Sequence, residues 1–397
     1  MTQGLAQSTE CSCKTDLDFL NKKVKKTPSY KDNKVIYNNL YLQTLKEIDG
    51  LDSSYDCYVL LNKLMLALND NHSKVYGVDK GATEDIRNDS IELSVFENSK
   101  IFHIYPRPNI NLDSLRGDLK SKATNQIEGI YFRKKYMTIG VYKIEKENGY
   151  KAIVLDSETK IWEPGEIIYT LIPYGKDYLL SVGGNITSKR LIAYTERIED
   201  GIFLTMGFQK DVSKTNFSAS LYPDSTYVRK EISSETTYLK IGSFNAWYPT
   251  LSDAENFYQS LEGTLTKRNL IVDLRDNGGG GDRNSDILLK ILKDYIKESK
   301  VYVITNNRTA SNAEQFAYKL SQFENCETFG NRTNGTAAYE LVDDNYNLPC
   351  GGFLVVLSSK RHAEYMKIES AGLEPKVKFT METDWVNQLQ NYIQEKN

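Results

Sequence analysis

Long apolar runs are missing from this 397-residue chain, and none reaches the ~18 residues that a membrane-spanning helix needs. A charge excess is missing too. Fifty basic and 53 acidic residues are interspersed to a formal net charge of −3, with no long basic block, so binding to a nucleic-acid backbone has little support. The segment Met1 to Glu10 lacks a charged stretch followed by an apolar one, so no signal peptide is visible there. Cysteine is sparse and odd in number: Cys11, Cys13, Cys57, Cys326 and Cys350 define no disulfide framework. Cys11-Ser12-Cys13 lacks a second pair at metal-ligand spacing, so no zinc site is expected and no metal or cofactor is implied. Cys326 and Cys350 flank one loop-rich stretch and are a candidate bridge in an oxidising compartment. Histidine is scarce as well, with three residues, which narrows the choice of an imidazole base to His72, His103 and His362.

What is present is ordinary globular composition, 40% hydrophobic and 26% charged, in a chain longer than one core usually organises. Three zones are expected. A helical domain with its connector occupies 14–100; Val59, Leu60, Leu64, Leu66 and Leu68 form an apolar face that ends in the polar turn Asn69-Asp70-Asn71-His72-Ser73. A β-rich zone, 126–228, holds short alternating runs separated by Gly, Asn and Asp, the spacing of an antiparallel barrel or sandwich. In the third zone, 235–385, apolar strands such as NLIVDL and VYVITN alternate with amphipathic helices, which predicts a mainly parallel sheet with its site at the strands' carboxyl ends.

Two elements of that third zone carry chemistry. The strand Asn269 to Leu274 runs into Arg275-Asp276-Asn277 and four glycines, Gly278 to Gly281, where backbone can approach a ligand unobstructed. The loop fits neither nucleotide-binding glycine pattern. The strand ending at Asn306 is followed by a turn and then a helix that opens at Ser311, beside unpaired N–H groups and the positive end of the helix dipole. Taken alone, Ser311 also reads as a plain N-cap, with Glu314 three places on as in a capping box.

Together, NLIVDLRDNGGG and VYVITNNRTASNAEQFA resemble the core shared by tail-specific (C-terminal processing) proteases, tricorn core domains and interphotoreceptor retinoid-binding protein. The resemblance runs from about Thr237 to Phe379 and includes Gly330-Asn331-Arg332-Thr333 and the late turn Gly372-Leu373-Glu374-Pro375, with Lys376 where the family usually has Asp. It implies an α/β fold: a ClpP/crotonase-like core, with an N-terminal helical domain and an intervening antiparallel β-rich domain. It also implies Ser311 as nucleophile. Thr333-Asn334-Gly335-Thr336-Ala337 holds no lysine, which disfavours the Ser-Lys branch. The tricorn-like branch takes a histidine from a turn like the one around His72, and a glutamate before the late turn, here Glu369, to orient it. Asn71 stands where tricorn has a serine. His103, in the strand-like Ile101 to Ile104, is read as structural, and His362 as a surface-turn residue.

The resemblance thus implies peptide-bond hydrolysis through an acyl-enzyme: Ser311 attacks, His72 moves protons and Glu369 orients His72. The backbone N–H groups of Gly278 or Gly279 and of Asn312 would hold the oxyanion. The expected partner is a peptide or unfolded protein, with no cofactor, no nucleic acid and no membrane span. The middle zone does not look like the PDZ module of processing proteases, so C-terminal selectivity is not carried over. Related proteins are usually exported, which points to periplasm or cell surface. A binding protein and an acyl-CoA enzyme on the same fold are the competing expectations.

Overall fold

The computed structural model describes residues 11–51, 53–145 and 148–396. The chain opens with helices α1 (Cys13–Val24), α2 (Pro28–Glu47) and α3 (Ser54–Met65). Each starts where a hydroxyl supplies the first orphan amide with an acceptor: Ser12 for Thr15, Thr27 for Tyr30 and Ser53 for Asp56. A short 3₁₀ turn, Leu66–Leu68, leads into the His72 turn and strand β1 (Lys74–Gly77). Helices α4 (Glu84–Asn88), α5 (Ser90–Glu97) and α6 (Leu112–Lys120) follow. His103 lies in the turn between α5 and α6, exposed, and not in the strand that its apolar neighbours suggested.

Six strands then form a meander in chain order: β2 (Gly129–Arg133), β3 (Met137–Lys143), β4 (Tyr150–Ser157), β5 (Ile167–Tyr174), β6 (Tyr178–Gly184) and β7 (Leu191–Glu196). The outer edge of β2 also exchanges backbone bonds with Gln209, which in turn bridges Ile202. One continuous hydrophobic cluster runs from Leu17 and Leu64 through Ile139, Leu171 and Val182, so the early helices serve as the second layer. Tyr55 of α3 even donates its hydroxyl hydrogen to the carbonyl of Val182, 3.2 Å away. A hairpin, β8 (Ile198–Glu199) and β9 (Ile202–Phe203), closes this part.

The remainder is built on a second six-stranded sheet. Strands β10 (Tyr227–Glu231) and β11 (Thr236–Ile241) are antiparallel; β12 (Asn269–Asp273), β13 (Lys300–Thr305) and β14 (Cys326–Gly330) then add in parallel. Helices α7 (Thr250–Leu261), α8 (Asp282–Tyr295) and α9 (Asn312–Ser321) make the crossovers. Period-two alternation sorts the side chains. Leu239, Leu270, Val272, Val301 and Val303 pack with apolar residues of α7, α8 and α9. Tyr238, Ile271, Tyr302 and Ile304 face the other way, into a cluster with Trp385, Leu389 and Ile393. That is why these strands read as unbroken apolar runs.

Strands β15 (Tyr339–Asn347) and β16 (Phe353–Arg361) form a hairpin that reaches back to β1, with Lys74 opposite Val356 and Gly77 opposite Phe353. Strand β17 (Val377–Lys378) edges the parallel sheet, and α10 (Trp385–Lys396) covers its second face. Two disulfides, Cys11–Cys350 and Cys13–Cys57, staple the start of α1 to the β15–β16 turn and to α3. The expected Cys326–Cys350 bridge is not formed: Cys326 opens β14, buried with its thiol free, while Cys350 meets Cys11.

Candidate active site

Strand β12 ends in a set of polar residues that shape the glycine loop. Asp273 is fully buried and receives Arg275 Nε, at 2.9 Å to Oδ1, together with the hydroxyl of Tyr238 at 2.8 Å to Oδ2. Arg275 in turn donates to the carbonyls of Phe217 and Ala219. Asn277 donates its side-chain amide to Ile241 O, accepts the Gly279 N–H at 2.9 Å on Oδ1, and takes Ala310 N–H on its own carbonyl. The loop is therefore locked against the turn before Ser311. At Gly279, φ is +98°, and an added Cβ would lie 2.7 Å from Ala310 O and 2.8 Å from Ser311 Cβ. Only glycine permits that approach.

Ser311 sits at φ 55°, ψ −128°, a backbone region costly for a residue with a Cβ. Buried Glu314 holds it there by accepting the Ser311 N–H at 3.0 Å. The same carboxylate accepts Thr333 Oγ1 at 2.5 Å and the N–H groups of Gly335 and Thr336. Burial pushes this carboxyl up to about 7, against the lowering effect of those donors. The capping reading captured one bond of Glu314. Its wider role was hinted at by a charged residue set among the apolar residues Ala313, Phe316 and Ala317, which a solvated face would not require.

The hydroxyl of Ser311 points to the other half of the molecule. His72 Nε2 lies 3.0 Å from Ser311 Oγ, across 239 residues of sequence. The turn that carries the imidazole starts at Asn69, in the left-handed region at φ 48°, and is organised by Asp70. Asp70 Oδ1 accepts the N–H groups of His72 and Ser73 at 3.0 and 3.2 Å, and Oδ2 accepts the Ser73 hydroxyl at 2.6 Å. Ser358 of β16 ties in through its own amide to Ser73 Oγ and its hydroxyl to Asp70. Burial lowers His72 to about 4, with the Asp70 charge opposing, so the ring is neutral at physiological pH and able to accept a proton.

Glu369 is buried near this turn but does not touch the imidazole. Its Oε1 accepts the Asn71 N–H at 3.1 Å, and its Oε2 accepts those of Ala337 and Ala338 at 2.8 and 2.7 Å. His72 Nδ1 is buried with no hydrogen-bond partner among the described residues. Glu369 is thus bonded to the turn that carries the imidazole through the peptide of Asn71, with no hydrogen bond to the ring itself. The Asn71 side chain donates to Gly335 O and accepts from Tyr174. Burial, then the nearby Asp70 charge, raises Glu369 to about 8.

Of the three expected oxyanion donors, Gly279 is already committed to Asn277. The N–H groups of Gly278 and Asn312 have no acceptor among the described residues. His362 lies elsewhere, 2.8 Å from Glu340 Oε2. No group of His, Cys, Asp and Glu among the described residues is arranged to hold a metal ion, and no helix among them is long and apolar enough to cross a membrane.

Residues 235–297, from the end of the β10–β11 turn through the glycine loop and α8, match the family described as peptidase family S41. The match to the S41 family stops before Ser311 and does not include His72. The fold is also similar to that of mature CPAF, at 10% identity over 96% of this chain and 97% of that one, TM-score 0.48. It is similar to the photosystem II D1 C-terminal processing protease, at 13% identity over 94% of each chain, TM-score 0.39. Tricorn protease is similar at 13% identity over 97% of this chain and 37% of that one, TM-score 0.43. No curated protein matches the chain.

Proposed function

We propose that this chain is a serine peptidase of the S41 type, which hydrolyses peptide bonds through an acyl-enzyme formed on Ser311. The observation that carries the reading is the 3.0 Å contact between His72 Nε2 and Ser311 Oγ. With Nε2 unprotonated, the Ser311 hydroxyl donates to it; as Oγ adds to the carbonyl carbon, its proton passes to Nε2 and is then returned to the leaving amine. Water attacks the ester in the second half, with His72 again taking the proton. The carbonyl oxygen, charged in each tetrahedral intermediate, would be met by the N–H groups of Gly278 and Asn312 and by the positive end of α9.

Glu369 then acts as a positioning residue. By fixing the peptide of Asn71 and the backbone of Ala337 and Ala338, it sets the turn on which the imidazole rides. The substrate is an extended peptide or unfolded protein. Two disulfides support an oxidising setting, periplasm or cell surface, because cytosolic thiols are kept reduced.

The test compares the full chain with Ser311→Ala and His72→Ala on a mixed peptide library read by mass spectrometry. Cleavage by the parent, with a loss of at least about 10³-fold in each variant, is expected. Equal cleavage by all three proteins would overturn the mechanism.

A further inference from the structure

The chain contains 27 tyrosines, 14 phenylalanines and three tryptophans, and among the described residues only two of these aromatics are exposed. They are neighbours: Trp247, 80% exposed, and Tyr248, 66% exposed. A fold that hides its other aromatic rings leaves this pair in solvent at one spot, and the spot adjoins the candidate active site. Phe244 N–H donates to Gly279 O at 3.0 Å, and Gly281 N–H donates back to Phe244 O at 2.9 Å, so the segment before Trp247 is bonded to the glycine loop on both sides. An added Cβ on Gly281 would lie 3.1 Å from Ala246 Cβ. Trp247 is three steps along the chain from Phe244, a reach of about 10 Å at most.

The backbone beneath the two rings is held firmly. Trp247 N–H donates to Asn245 Oδ1 at 3.0 Å, Asn284 of α8 donates to Asn245 O at 2.9 Å, and Leu251 N–H donates to Trp247 O at 3.0 Å. Tyr248 has its hydroxyl 3.5 Å from Arg283 Nη2, with the guanidinium 5.8 Å from the ring centre. Rigid, amphipathic rings displayed from fixed backbone are what a binding surface uses, since little ordering entropy is lost when they are covered.

We propose that Trp247 and Tyr248 form a specificity lip that takes an aromatic or large aliphatic side chain of the substrate peptide, within about three residues of the bond cut at Ser311. The position of the lip rests on the peptidase reading above; the binding itself does not. Covering two exposed rings with an apolar side chain removes apolar surface from water on both partners. A glycine at that substrate position gains none of this. Selectivity is therefore expected in KM.

The experiment has two arms. In the first, the parent, Trp247→Ala, Tyr248→Ala and Trp247→Phe are profiled on paired peptides that differ only in Phe or Gly at successive positions around the cleaved bond. The parent should favour Phe at one position. The Phe-to-Gly ratio of kcat/KM should fall about tenfold or more in Trp247→Ala, through KM, and be largely restored in Trp247→Phe. An unchanged ratio in both alanine variants overturns the lip, including the case where those variants alter self-association instead. In the second arm, Ser311→Ala binds the same peptides in a calorimeter, with and without Trp247→Ala. This arm decides the lip even if the parent cleaves nothing and the peptidase reading fails. Tighter binding of the Phe peptide that is lost with Trp247 supports the lip, and equal binding of both peptides overturns it.

Discussion

His72 and Ser311 approach to 3.0 Å, and the imidazole that makes the contact is one that burial keeps neutral. The consequence is an acid limb displaced from the usual histidine range. Protonating His72 removes the base, so kcat/KM falls as pH drops through its value. With that value lowered to about 4, activity should persist well below the ordinary ~6.5. A pH profile of kcat/KM on a single peptide checks this. A half-maximum near 6.5 would show that the ring is more solvated in the free enzyme than its surroundings here imply.

Glu369→Gln should cost both stability and turnover. The carboxylate accepts three backbone N–H groups, one on Oε1 and two on Oε2. An amide must turn its NH₂ toward at least one of them, leaving a buried donor unmet at about 1–3 kcal/mol. A lowered thermal midpoint and a kcat reduced more than KM are expected. Parent-like values for both would show that the turn bearing His72 does not depend on this residue.

Three buried carboxyls, Glu196, Glu314 and Glu369, have values raised by burial to about 7, 7 and 8. Each holds a proton in the folded state that the unfolded chain has released above its ordinary value of 4.5. Their contribution to stability is therefore full below 4.5 and is lost as pH rises through 7 to 8. His72 works in the opposite sense, since its stabilising neutrality matters above 6.5 and fades toward 4, but it is one group against three. The thermal midpoint should fall between about pH 6.5 and 8. A midpoint that rises over that interval would contradict the burial of these groups.

Alkylation of the unfolded, unreduced chain should label Cys326 alone, because the other four cysteines are paired. Peptide mapping reads this directly. Label on Cys350 would break the Cys11–Cys350 assignment, and label on Cys13 or Cys57 as well would remove the support for an oxidising compartment. Reduction should also lower the thermal midpoint, since cross-links of this kind are worth about 2–4 kcal/mol each.

The parts of the fold that were legible in the sequence are those specified locally. The run Asn269 to Leu274 reads as a buried strand because both faces are covered, and the glycine loop is legible because backbone contact at Gly279 and Gly280 leaves no room for a side chain. Ser311 and His72 were named from their surrounding motifs, and the fold brings them together. What was hidden depends on distant partners. Nothing near Cys350 signals Cys11, 339 residues away. Alternation in the β2–β7 runs shows that one face is buried, not that the early helices are what buries it. Glu369 was expected to orient His72; that its partners are the amides of Asn71, Ala337 and Ala338 depends on where distant segments place those groups. Gly279 was offered as an oxyanion donor, and the Asn277 side chain two places earlier claims its N–H.

The pairing of β1 with β16 has a consequence for synthesis. The turn that bears His72 is finished by Ser358, in a strand that follows both His72 and Ser311 in the chain. A polypeptide still emerging from the ribosome already contains the imidazole, and later the hydroxyl, without the strand that braces one toward the other. Competence to attack a peptide would therefore arrive only once that strand has been made and paired, and products terminated before it would be harmless to their neighbours.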